Sequence, residues 1–340
     1  MNAPDRRPVI RDVARAAGVS VPTVSRVLTG AARVSPEKVE RVRAAIEELG
    51  FLPSATARAL VAKKPKLIAV IAGNTSRFGY AETIRGVEEA ARADGYTVSI
   101  TVVESAEAAE VERAIALVTA QPIAGVVVLK FDPPGVAALE ALPSLLPTVA
   151  VSGVRARGVP QSVLDEAAAA HELVEYMLDQ GHRTVHHVTV PPSRREDGRT
   201  TGWRRALTDR GATIPPIIAA TWEPESGREI GRRLAEAGDA SAVFCGNDEI
   251  AMGVIRGLRE GGCAVPEEVS VAGFDDHPIS AMFSPSLTTV HQDFAGLGNR
   301  AYQQLEGVIE GRKIRKFCSE RPMLVVRESV APPPVSKRGA

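Results

Sequence analysis

Several residue types are scarce in this chain, and each scarcity excludes a class of protein. Its 340 residues include only three cysteines, which are too few for a disulfide framework and fit a reducing cytoplasm. Aromatic residues make up 4% of the chain, so aliphatic side chains must fill the cores. No run of about 18 apolar residues is present to span a membrane. No apolar segment of a secretory signal follows Met1. These features predict a cytoplasmic protein that does not enter a membrane.

The net charge is zero, but the charges are unevenly distributed. Residues 1–66 contain 13 basic and 6 acidic side chains, whereas the remainder contains 28 basic and 35 acidic ones. A small basic module on a larger acidic body indicates a polyanion as the partner of the first segment. A solvated basic tail is the alternative that charge alone leaves open.

From Leu67 onward, short apolar runs alternate with longer amphipathic stretches. The apolar runs are Leu67–Ile71, Gly125–Leu129, Val185–Val190, Ala242–Cys245 and Val269–Ala272. Runs of this length, separated by helical spacing, predict parallel strands with crossover helices. The chain is long enough for two such sheets, and its proline-rich end, residues 331–340, is predicted to be disordered.

Before Leu67, the chain has short helical patterns separated by turn residues. Val13, Ala14 and Ala17 lie on one face of a first helix, and Gly18 supplies the turn that ends it. A second helix, Val21–Leu28, is predicted to turn Val24, Val27 and Leu28 inward. Helix, glycine turn and second helix together predict a helix-turn-helix.

Two serines are predicted to cap helices through their hydroxyl groups. Ser20 precedes the second helix, and Ser35 precedes a third helix that has Pro36 at its first position. The next segment, residues 53–66, has little to bury and reads as a linker with one weak helix.

The motif Gly18-Val19-Ser20-x-x-Thr23-Val24-Ser25-Arg26-Val27-Leu28, followed by Val34-Ser35, resembles the headpiece of the LacI/GalR transcription regulators. The resemblance continues through Leu49-Gly50-Phe51-Leu52-Pro53 and Ala57-Arg58-x-Leu60, the hinge-helix signature of that family. It implies an all-α helix-turn-helix headpiece and an α/β, periplasmic-binding-protein-like core of two parallel-sheet lobes.

The resemblance also implies where each domain lies. The headpiece is expected at 8–52, the hinge helix and linker at 53–65, and the core at 66–330. The first lobe is expected at about 66–161 plus 293–321, and the second at about 165–289 plus 323–330. Segments 160–166 and 288–294 are predicted to cross between the lobes and form their hinge.

By the same resemblance, the headpiece and hinge contact double-stranded DNA. The contacts with base edges in the major groove are assigned to Val21, Pro22 and Arg26. Phosphates are assigned to Ser20, Thr23, Ser25 and Thr29. The hinge helix supplies Ala57, Arg58 and Leu60, of which Leu60 is expected to wedge into the minor groove. Simple helix initiation remains open for Val21 and Pro22, and packing on the core for Leu60.

The core is expected to bind a small effector. Ligands in such folds lie beyond the carboxyl ends of strands, which selects Asn74, Phe78, Tyr80, Asn247 and Asp275. The resemblance implies contacts from Arg199, Trp222, Asn247, Asp275 and Gln292, with Phe294 and Asp165 in addition. Paired polar groups and an aromatic face suit a sugar, although a purine stacked on Trp222 stays open. The charged residues 194–197 are read either as part of this site or as a solvated loop.

Enzyme signatures are absent from the sequence. The first predicted strand is followed by Ala72-Gly73-Asn74-Thr75-Ser76 rather than by GxGxxG, and neither GxxxxGK[ST] nor GxSxG occurs. The six histidines show no metal-ligand spacing. We therefore expect no catalytic residues, no metal and no cofactor. A stand-alone solute-binding protein is the stronger alternative, but it would need an export signal.

Together these features predict a sequence-specific DNA-binding regulator, most simply a repressor, that is controlled by a sugar-like effector. A purine-type corepressor is the alternative effector. One headpiece reads few base pairs, so a homodimer on a palindromic operator is expected. The tail after Val330 lacks a leucine-rich helix, so a dimer is expected rather than a tetramer.

Overall fold

The computed structural model describes residues 8–29, 34–51, 65–153, 158–191 and 197–334. The chain divides into two compact units, Met1–Lys66 and Leu67–Ala340. The first unit is all-α and the second contains parallel sheets, so the predicted fold class is confirmed.

Within its described residues, the first unit forms the helices α1 (Ile10–Ala16), α2 (Val21–Thr29) and α3 (Pro36–Leu49). The turn between α1 and α2 requires Gly18, whose φ of 63° favours glycine. The helices enclose a small core of mainly aliphatic side chains: Val13, Ala14, Ala17, Val24, Val42, Ala45 and Phe51. Both the helix-turn-helix and its packing faces thus follow from the apolar spacing.

Two predicted details of this unit differ in the structure. Leu28 is 36% exposed rather than turned inward, because it lies in the last turn of α2 at the edge of a small core. Ser35 is the N-cap residue of α3, but its side chain makes no capping hydrogen bond. The next residue, Pro36, has no N–H that needs a partner. The Ser20 hydroxyl is hydrogen-bonded to the Thr23 hydroxyl at 2.9 Å.

The first lobe of the second unit is built on a six-stranded parallel sheet. Its strands are β1 (Leu67–Ala72), β2 (Thr97–Val102), β3 (Gly125–Leu129), β4 (Thr148–Ser152), β5 (Gln161–Leu164) and β11 (Phe317–Glu320), in the order β11-β5-β4-β3-β1-β2. The lobe's helices are α4 (Phe78–Ala93), α5 (Ala108–Thr119), α6 (Pro133–Ala141) and α11 (Phe294–Ile309). Buried aliphatic side chains cover both faces of the sheet.

The second lobe repeats this plan with a smaller parallel sheet of order β7-β6-β8-β9. Its strands are β6 (His186–Thr189), β7 (Ile218–Ala219), β8 (Ala242–Cys245) and β9 (Ser270–Ala272). Its helices are α7 (Glu166–Asp179), α8 (Gly198–Asp209), α9 (Pro224–Ala237) and α10 (Asp248–Glu260). An antiparallel ribbon of β10 (Thr289–His291) and β12 (Met323–Val325) completes the second unit's sheets.

The described chain passes between the lobes where β5 leads to α7, where β10 leads to α11 and where β11 leads to β12. Residues 53–64 of the predicted hinge helix and linker lie outside the described residues. At the other end, Ala331, the first residue of the predicted tail, is bonded to Ser270 and His182 of the second lobe.

Close packing of α4 on α11 brings two aromatic side chains together at the edge of the first lobe. A Cβ atom on Gly86 would lie 1.9 Å from the Ala295 carbonyl oxygen, so only glycine allows this approach. The amino ends of the two helices place Phe78 and Phe294 with ring centroids 5.9 Å apart in an edge-to-face arrangement. These rings face the second lobe.

Candidate functional site

A cleft lies between the carboxyl edges of the two sheets, where the strand-end rule places a ligand. The first-lobe wall of this cleft consists of Arg77, Phe78, Gly79, Tyr80, Lys130, Phe131, Gly153 and Phe294. The second-lobe wall consists of Glu166, Val190, Pro191, Asp197, Arg199, Trp222, Asn247, Glu249 and Asp275. The space that the centres of water molecules can occupy in this cleft is about 70 Å³.

Seven of the ten predicted effector contacts lie on these walls. They are Phe78, Tyr80, Arg199, Trp222, Asn247, Asp275 and Phe294. The other three, Asn74, Asp165 and Gln292, are not among the lining residues, and the side chain of each forms a hydrogen bond with a neighbouring residue. The carbonyl oxygen of the Asn74 side chain accepts N–H bonds from Ser76 and Arg77 at 2.8 and 2.9 Å. Asp165 caps α7, and the Gln292 amide donates to the Asp275 carboxylate at 2.7 Å.

Arg199 is the centre of the second-lobe wall. Its guanidinium lies 3.0 Å from the Glu166 carboxylate and 3.2 Å from that of Asp275, and it donates to the Gly246 carbonyl oxygen. It also lies over the Phe274 ring at 4.6 Å. All three charged side chains are 10–14% exposed. The arginine holds both carboxylates, and its loss would leave both of them buried without a compensating positive charge.

Burial and charge act in opposite directions on this cluster. Burial raises the pKa of Asp275 to about 7, although Arg199 beside it works in the other direction. Burial likewise raises the pKa of Glu166, again opposed by Arg199. For Arg199 itself, burial lowers the pKa, but the neighbouring Asp275 and Glu166 outweigh it and the pKa is raised. The guanidinium therefore remains charged and holds the carboxylates in place.

The backbone at Asp275 is held in an uncommon conformation, with a φ of 111°. Few residues other than glycine adopt this region, so the surrounding bonds must maintain it. The Asp275 N–H donates to the Val290 carbonyl oxygen at 2.9 Å. The Asp275 carboxylate forms an ion pair with Arg199 and accepts a hydrogen bond from Gln292. The conformation presents this carboxylate to the cleft.

Behind Asp275, the carboxylate of Asp248 joins several second-lobe segments. It accepts hydrogen bonds from the Thr289 hydroxyl at 2.5 Å, the Ser280 hydroxyl at 2.7 Å and the His277 N–H at 2.6 Å. Burial raises its pKa to about 6, although these three bonds act in the opposite direction. Asp248 is not among the residues that line the cleft, and its carboxylate supports the segments behind the wall.

The first-lobe wall has a different construction. The Tyr80 hydroxyl donates to the Asp132 carboxylate at 2.5 Å, and burial raises the pKa of Tyr80, so this hydroxyl remains a donor. Asp132 also caps α6 by accepting the Gly135 N–H at 2.9 Å. The ring of Phe131 meets Tyr80 edge-on at 5.2 Å. Lys130 is only 2% exposed.

Two contacts join the lobes across the cleft. The Arg77 guanidinium lies 4.4 Å from the centroid of the Trp222 ring, a cation–π contact. The rings of Phe78 and His277 approach to 4.8 Å. Both contacts use side chains at the amino end of α4, so this end of the helix meets the second lobe when the cleft is closed.

Sequence reasoning missed several wall residues, above all Arg77, Lys130, Phe131, Glu166 and Glu249. Lys130 and Phe131 directly follow the predicted strand Gly125–Leu129, so the strand-end rule would have found them. Glu166 had no such signal, because its partner Arg199 is 33 residues away in the chain.

In the headpiece, the predicted DNA contacts lie on and just before α2. Ser20, Pro22 and Arg26 are exposed, whereas Val21, Thr23 and Ser25 are half-buried. Thr29 ends α2, and its side chain lies outside the described residues, as do Ala57, Arg58 and Leu60. The exposed face of α2 is thus short and carries the Arg26 guanidinium.

Comparisons with known proteins cover both units. The profile of bacterial regulatory proteins of the lacI family matches residues 9–54, and that of the periplasmic binding protein-like domain matches residues 174–330. The HTH-type transcriptional repressor PurR of Erwinia tasmaniensis is 33% identical over 338 residues, which cover 96% of this chain and 97% of that protein. The PurR repressor of Serratia proteamaculans is 33% identical over 335 residues with the same coverage. The chain belongs to the lacI family of bacterial regulatory proteins.

Solved structures agree with membership of the lacI family. The Lac repressor dimer bound to operator and the anti-inducer ONPF matches with a TM-score of 0.87 and 26% identity, covering 96% of this chain and 100% of that one. The complex of the transcriptional regulator CelR with cellobiose matches with a TM-score of 0.69 and 26% identity, covering 95% and 100%. These similarities extend over headpiece and core alike.

The lacI-family relatives are transcriptional repressors, which confirms the prediction of a regulator rather than an enzyme. Among the described residues, no helix combines the length and apolar character needed to cross a bilayer. Within the same part of the chain, no group of three or more histidine, cysteine, aspartate or glutamate side chains is arranged to hold a metal ion.

Proposed function

We propose that this lacI-family protein represses transcription by binding a palindromic operator in double-stranded DNA as a homodimer, under the control of a sugar-like effector in the cleft. The observation that carries the proposal is the match to PurR repressors over 96% of the chain, headpiece and cleft together. The Lac repressor, which is similar in structure, is a dimer bound to operator. The place of action is the cytoplasm, where bacterial operators are found.

In this proposal, α2 enters the major groove with its amino end toward the base edges. Arg26 donates two hydrogen bonds to a guanine, and Val21 and Pro22 make apolar contacts. Phosphate contacts come from hydroxyl groups, namely those of Ser20, Thr23, Ser25 and Thr29. The Ser20 and Thr23 hydroxyls already meet at 2.9 Å, so one phosphate oxygen can engage both.

The hinge segment adds a minor-groove contact. Leu60 is proposed to insert between two base pairs and kink the duplex, while Arg58 contacts the backbone and Ala57 allows close approach. A helix this short is marginal in isolation because nucleation is costly. Its formation is therefore proposed to depend on DNA and on the second subunit.

The cleft is proposed to couple effector to DNA. Arg77, Phe78, Trp222 and His277 meet only when the lobes approach each other, so a ligand that favours closure shifts the population of the two states. Carboxylates, Asn247 and Arg199 suit sugar hydroxyls. A purine base is the second candidate effector, because the walls also offer the Phe78, Phe131, Trp222 and Phe294 rings for stacking.

The test begins with selection of DNA sites by the purified protein from fragments of the genome that encodes it. Arg26→Ala is expected to weaken binding to the selected operator by about 10- to 100-fold and to relax the preference for one guanine in each half-site, since a bidentate contact contributes about 1–3 kcal/mol. The control is Arg113→Ala, an exposed arginine of α5 with the same loss of charge, which is expected to leave sequence preference unchanged.

Selection that returns no sequence preference, with or without sugars and nucleobases present, would overturn the proposed repressor.

Sedimentation of the protein–DNA complex tests the dimer, because one dimer per palindrome is expected. Leu60→Ala tests the hinge contact: affinity and DNA bending should both fall, and unchanged bending would exclude the wedge.

A further inference from the structure

A loop at one corner of the first lobe carries four cationic side chains within five residues. This basic loop reads Arg312-Lys313-Ile314-Arg315-Lys316 and connects α11 to β11. All four cationic residues are exposed. From residue 67 onward, the chain contains 28 basic and 35 acidic side chains, so the basic loop is a positive surface on an acidic body.

The backbone of the basic loop is anchored to the first lobe, so its cations are presented from defined positions. The amide of the buried Gln304 donates to the Arg315 carbonyl oxygen at 2.9 Å. The Gln161 N–H donates to the Lys316 carbonyl oxygen at 2.8 Å. Ile314 is half-buried, whereas the cationic residues on either side of it are exposed. These anchors use backbone atoms and Ile314, which leaves the cationic side chains in solvent.

Carboxylates of the first lobe neutralise only part of this charge. The Arg312 guanidinium is paired with Glu306 at 2.5 Å and with Glu310 at 2.7 Å. Within the described ranges, the other three cations of the basic loop form no ion pair. They are therefore available to an anion from outside the chain.

The basic loop lies at the amino edge of the first-lobe sheet, the edge at which β1 also begins. The strand order β11-β5-β4-β3-β1-β2 separates β11 from β1 by four strand spacings, or about 19 Å. Between them, the described residues directly before β3, β4 and β5 carry no charged side chain; they are 121–124, 142–147 and 158–160. No carboxylate of these segments would repel a polyanion that follows the edge from β1 to the basic loop.

The length of the chain limits how far this edge can lie from a bound duplex. In the proposed function, Leu60 inserts into the minor groove, and Leu67 at the start of β1 follows seven residues later. Seven residues span at most about 25 Å, and the edge adds about 19 Å. The basic loop must then lie within about 44 Å of the inserted side chain, a distance of little more than one helical turn of DNA.

We propose that the basic loop is a second DNA-binding surface, which contacts phosphates of the duplex that flanks the operator. Lys313, Arg315 and Lys316 donate to phosphate oxygens, which adds affinity without reading sequence. The inference rests on the proposed function, because operator binding by the headpiece brings the duplex within reach of the basic loop. Each phosphate that a cation neutralises releases condensed counterions, so these contacts also steepen the salt dependence of binding.

The experiment compares two duplexes for binding to the full-length protein. One is the selected operator alone, and the other is the same operator with about 20 base pairs on each side, which extend about 68 Å and exceed the reach of the basic loop. Fluorescence anisotropy gives the Kd for each duplex over a series of salt concentrations. The flanked operator is expected to bind at least ten times more tightly at low salt and with a steeper salt dependence.

A triple variant assigns this difference to the basic loop. Lys313→Gln, Arg315→Gln and Lys316→Gln together leave the backbone anchors and Ile314 in place. For the flanked operator, the affinity at low salt is expected to fall at least tenfold. The slope of log K against log salt should become shallower by about 1.8 or more, which corresponds to one lost phosphate contact in each of two subunits. For the operator alone, the Kd should stay within a factor of about two.

The matched control removes the same charge from the second lobe. It combines Arg183→Gln, Arg205→Gln and Arg233→Gln, three exposed arginines. This control variant should bind both duplexes with the affinity and salt dependence of the unaltered protein. Thermal melting of both triple variants confirms that each is folded.

Three results would overturn the proposed second surface. An unchanged salt slope for the basic-loop variant on the flanked operator would exclude phosphate contacts and point to an acidic protein as the partner. Equal losses on both duplexes would show that the flanking DNA is not involved. An equal loss in the control variant would show that only the net charge of the protein matters.

Failure of this inference can be told apart from failure of the proposed function. If selection returns no operator, the same proteins are compared on short and long duplexes of random sequence. A shallower salt slope for the basic-loop variant on the long duplex would then support the surface without a repressor. A clear operator preference with no effect of the basic loop would reject the second surface and leave the proposed function standing.

Discussion

The first-lobe wall offers aromatic rings, two cations and the open turn of α4, whereas the second-lobe wall offers carboxylates bound to Arg199, Asn247 or a helix end. The second-lobe groups are therefore positioned before any ligand arrives. In the first lobe, Arg77 instead contacts a ring of the opposite lobe, so its position depends on closure. One lobe is preorganised, and the other adapts when the cleft closes.

This difference has a physical cause in how each wall is anchored. The second-lobe wall is fixed by ion pairs in which the side chains are 10–14% exposed, and loss of Arg199 would leave two buried carboxylates uncompensated. The first-lobe wall is fixed by the packing of Phe78 on Phe294 and by the Tyr80 hydrogen bond to Asp132. Substitutions should therefore cost more stability in the second lobe than in the first.

The largest contrast is expected between two arginine substitutions. Arg199→Met strands Glu166 and Asp275 in a buried site and should lower the free energy of unfolding by about 3–5 kcal/mol. Arg77→Met removes only a cation–π contact at the cleft surface and should cost about 0.5–1 kcal/mol. Urea unfolding followed by circular dichroism measures both.

A rescue variant separates stranded charge from lost packing. Adding Glu166→Gln and Asp275→Asn to Arg199→Met removes the uncompensated charges, so most of the lost stability should return. Equal costs for Arg199→Met and Arg77→Met would contradict the idea that only the second-lobe wall is anchored by buried charge.

The second-largest effect concerns pH, through two buried groups of the second lobe. Burial raises the pKa of Asp248 to about 6, so its contribution to stability is present below about pH 4 and is lost as pH rises through 6. Burial lowers the pKa of His187, which stacks on Phe244, to about 4, so its contribution is gained as pH rises from 4 to about 6.5. The two contributions oppose each other over one pH range.

Each single substitution should therefore remove one contribution, which the difference from the unaltered protein then measures. In Asp248→Asn, the free energy of unfolding should rise between pH 4 and 6.5 by up to about 3 kcal/mol relative to the unaltered protein. In His187→Gln, it should fall over that range by a similar amount. Denaturant titrations at half-unit pH steps measure both differences. Parallel curves for all three proteins would show that these groups do not titrate in this range.

The fold was predictable wherever burial and hydrophobicity coincide. β3 is buried along its whole length and reads Gly-Val-Val-Val-Leu, so the sequence predicted it. β2 is an edge strand with half its residues exposed, and its mixed sequence Thr-Val-Ser-Ile-Thr-Val gave no apolar run. β5 is fully buried yet begins with Gln161 and Ser162. Burial there comes from neighbouring strands, which the local sequence does not record.

The site was predictable where local position decides function, as at Asn247 and Asp275 beyond their strands. The same rule also selected Asn74, which does not line the cleft. An asparagine after a strand can stabilise a turn as readily as it binds a ligand, and here the Asn74 side chain accepts hydrogen bonds from Ser76 and Arg77. The pairing of Arg199 with Glu166 is tertiary, so only the folded chain brings it about.

The smallest predicted effect tests the anchor of the first-lobe wall. Tyr80→Phe removes the hydroxyl that donates to the carboxylate of Asp132, and Asp132 is only 6% exposed. The carboxylate keeps its bond from the Gly135 N–H but loses one donor. Leaving a buried acceptor without a partner costs about 1–3 kcal/mol. Because the Gly135 bond remains, the free energy of unfolding should fall by about 1 kcal/mol, the lower limit of this range.

Tyr176→Phe on α7 is the matched control from the second lobe, because its half-buried hydroxyl forms no hydrogen bond within the described chain. It should change the free energy of unfolding by less than about 0.5 kcal/mol. In Tyr80→Phe, sugar hydroxyl contacts on the second lobe stay intact, so a neutral sugar should bind almost unchanged. If Tyr80→Phe instead costs as much stability as Arg199→Met, the first-lobe wall is as rigidly anchored as the second, and the contrast between an adaptable and a preorganised lobe fails.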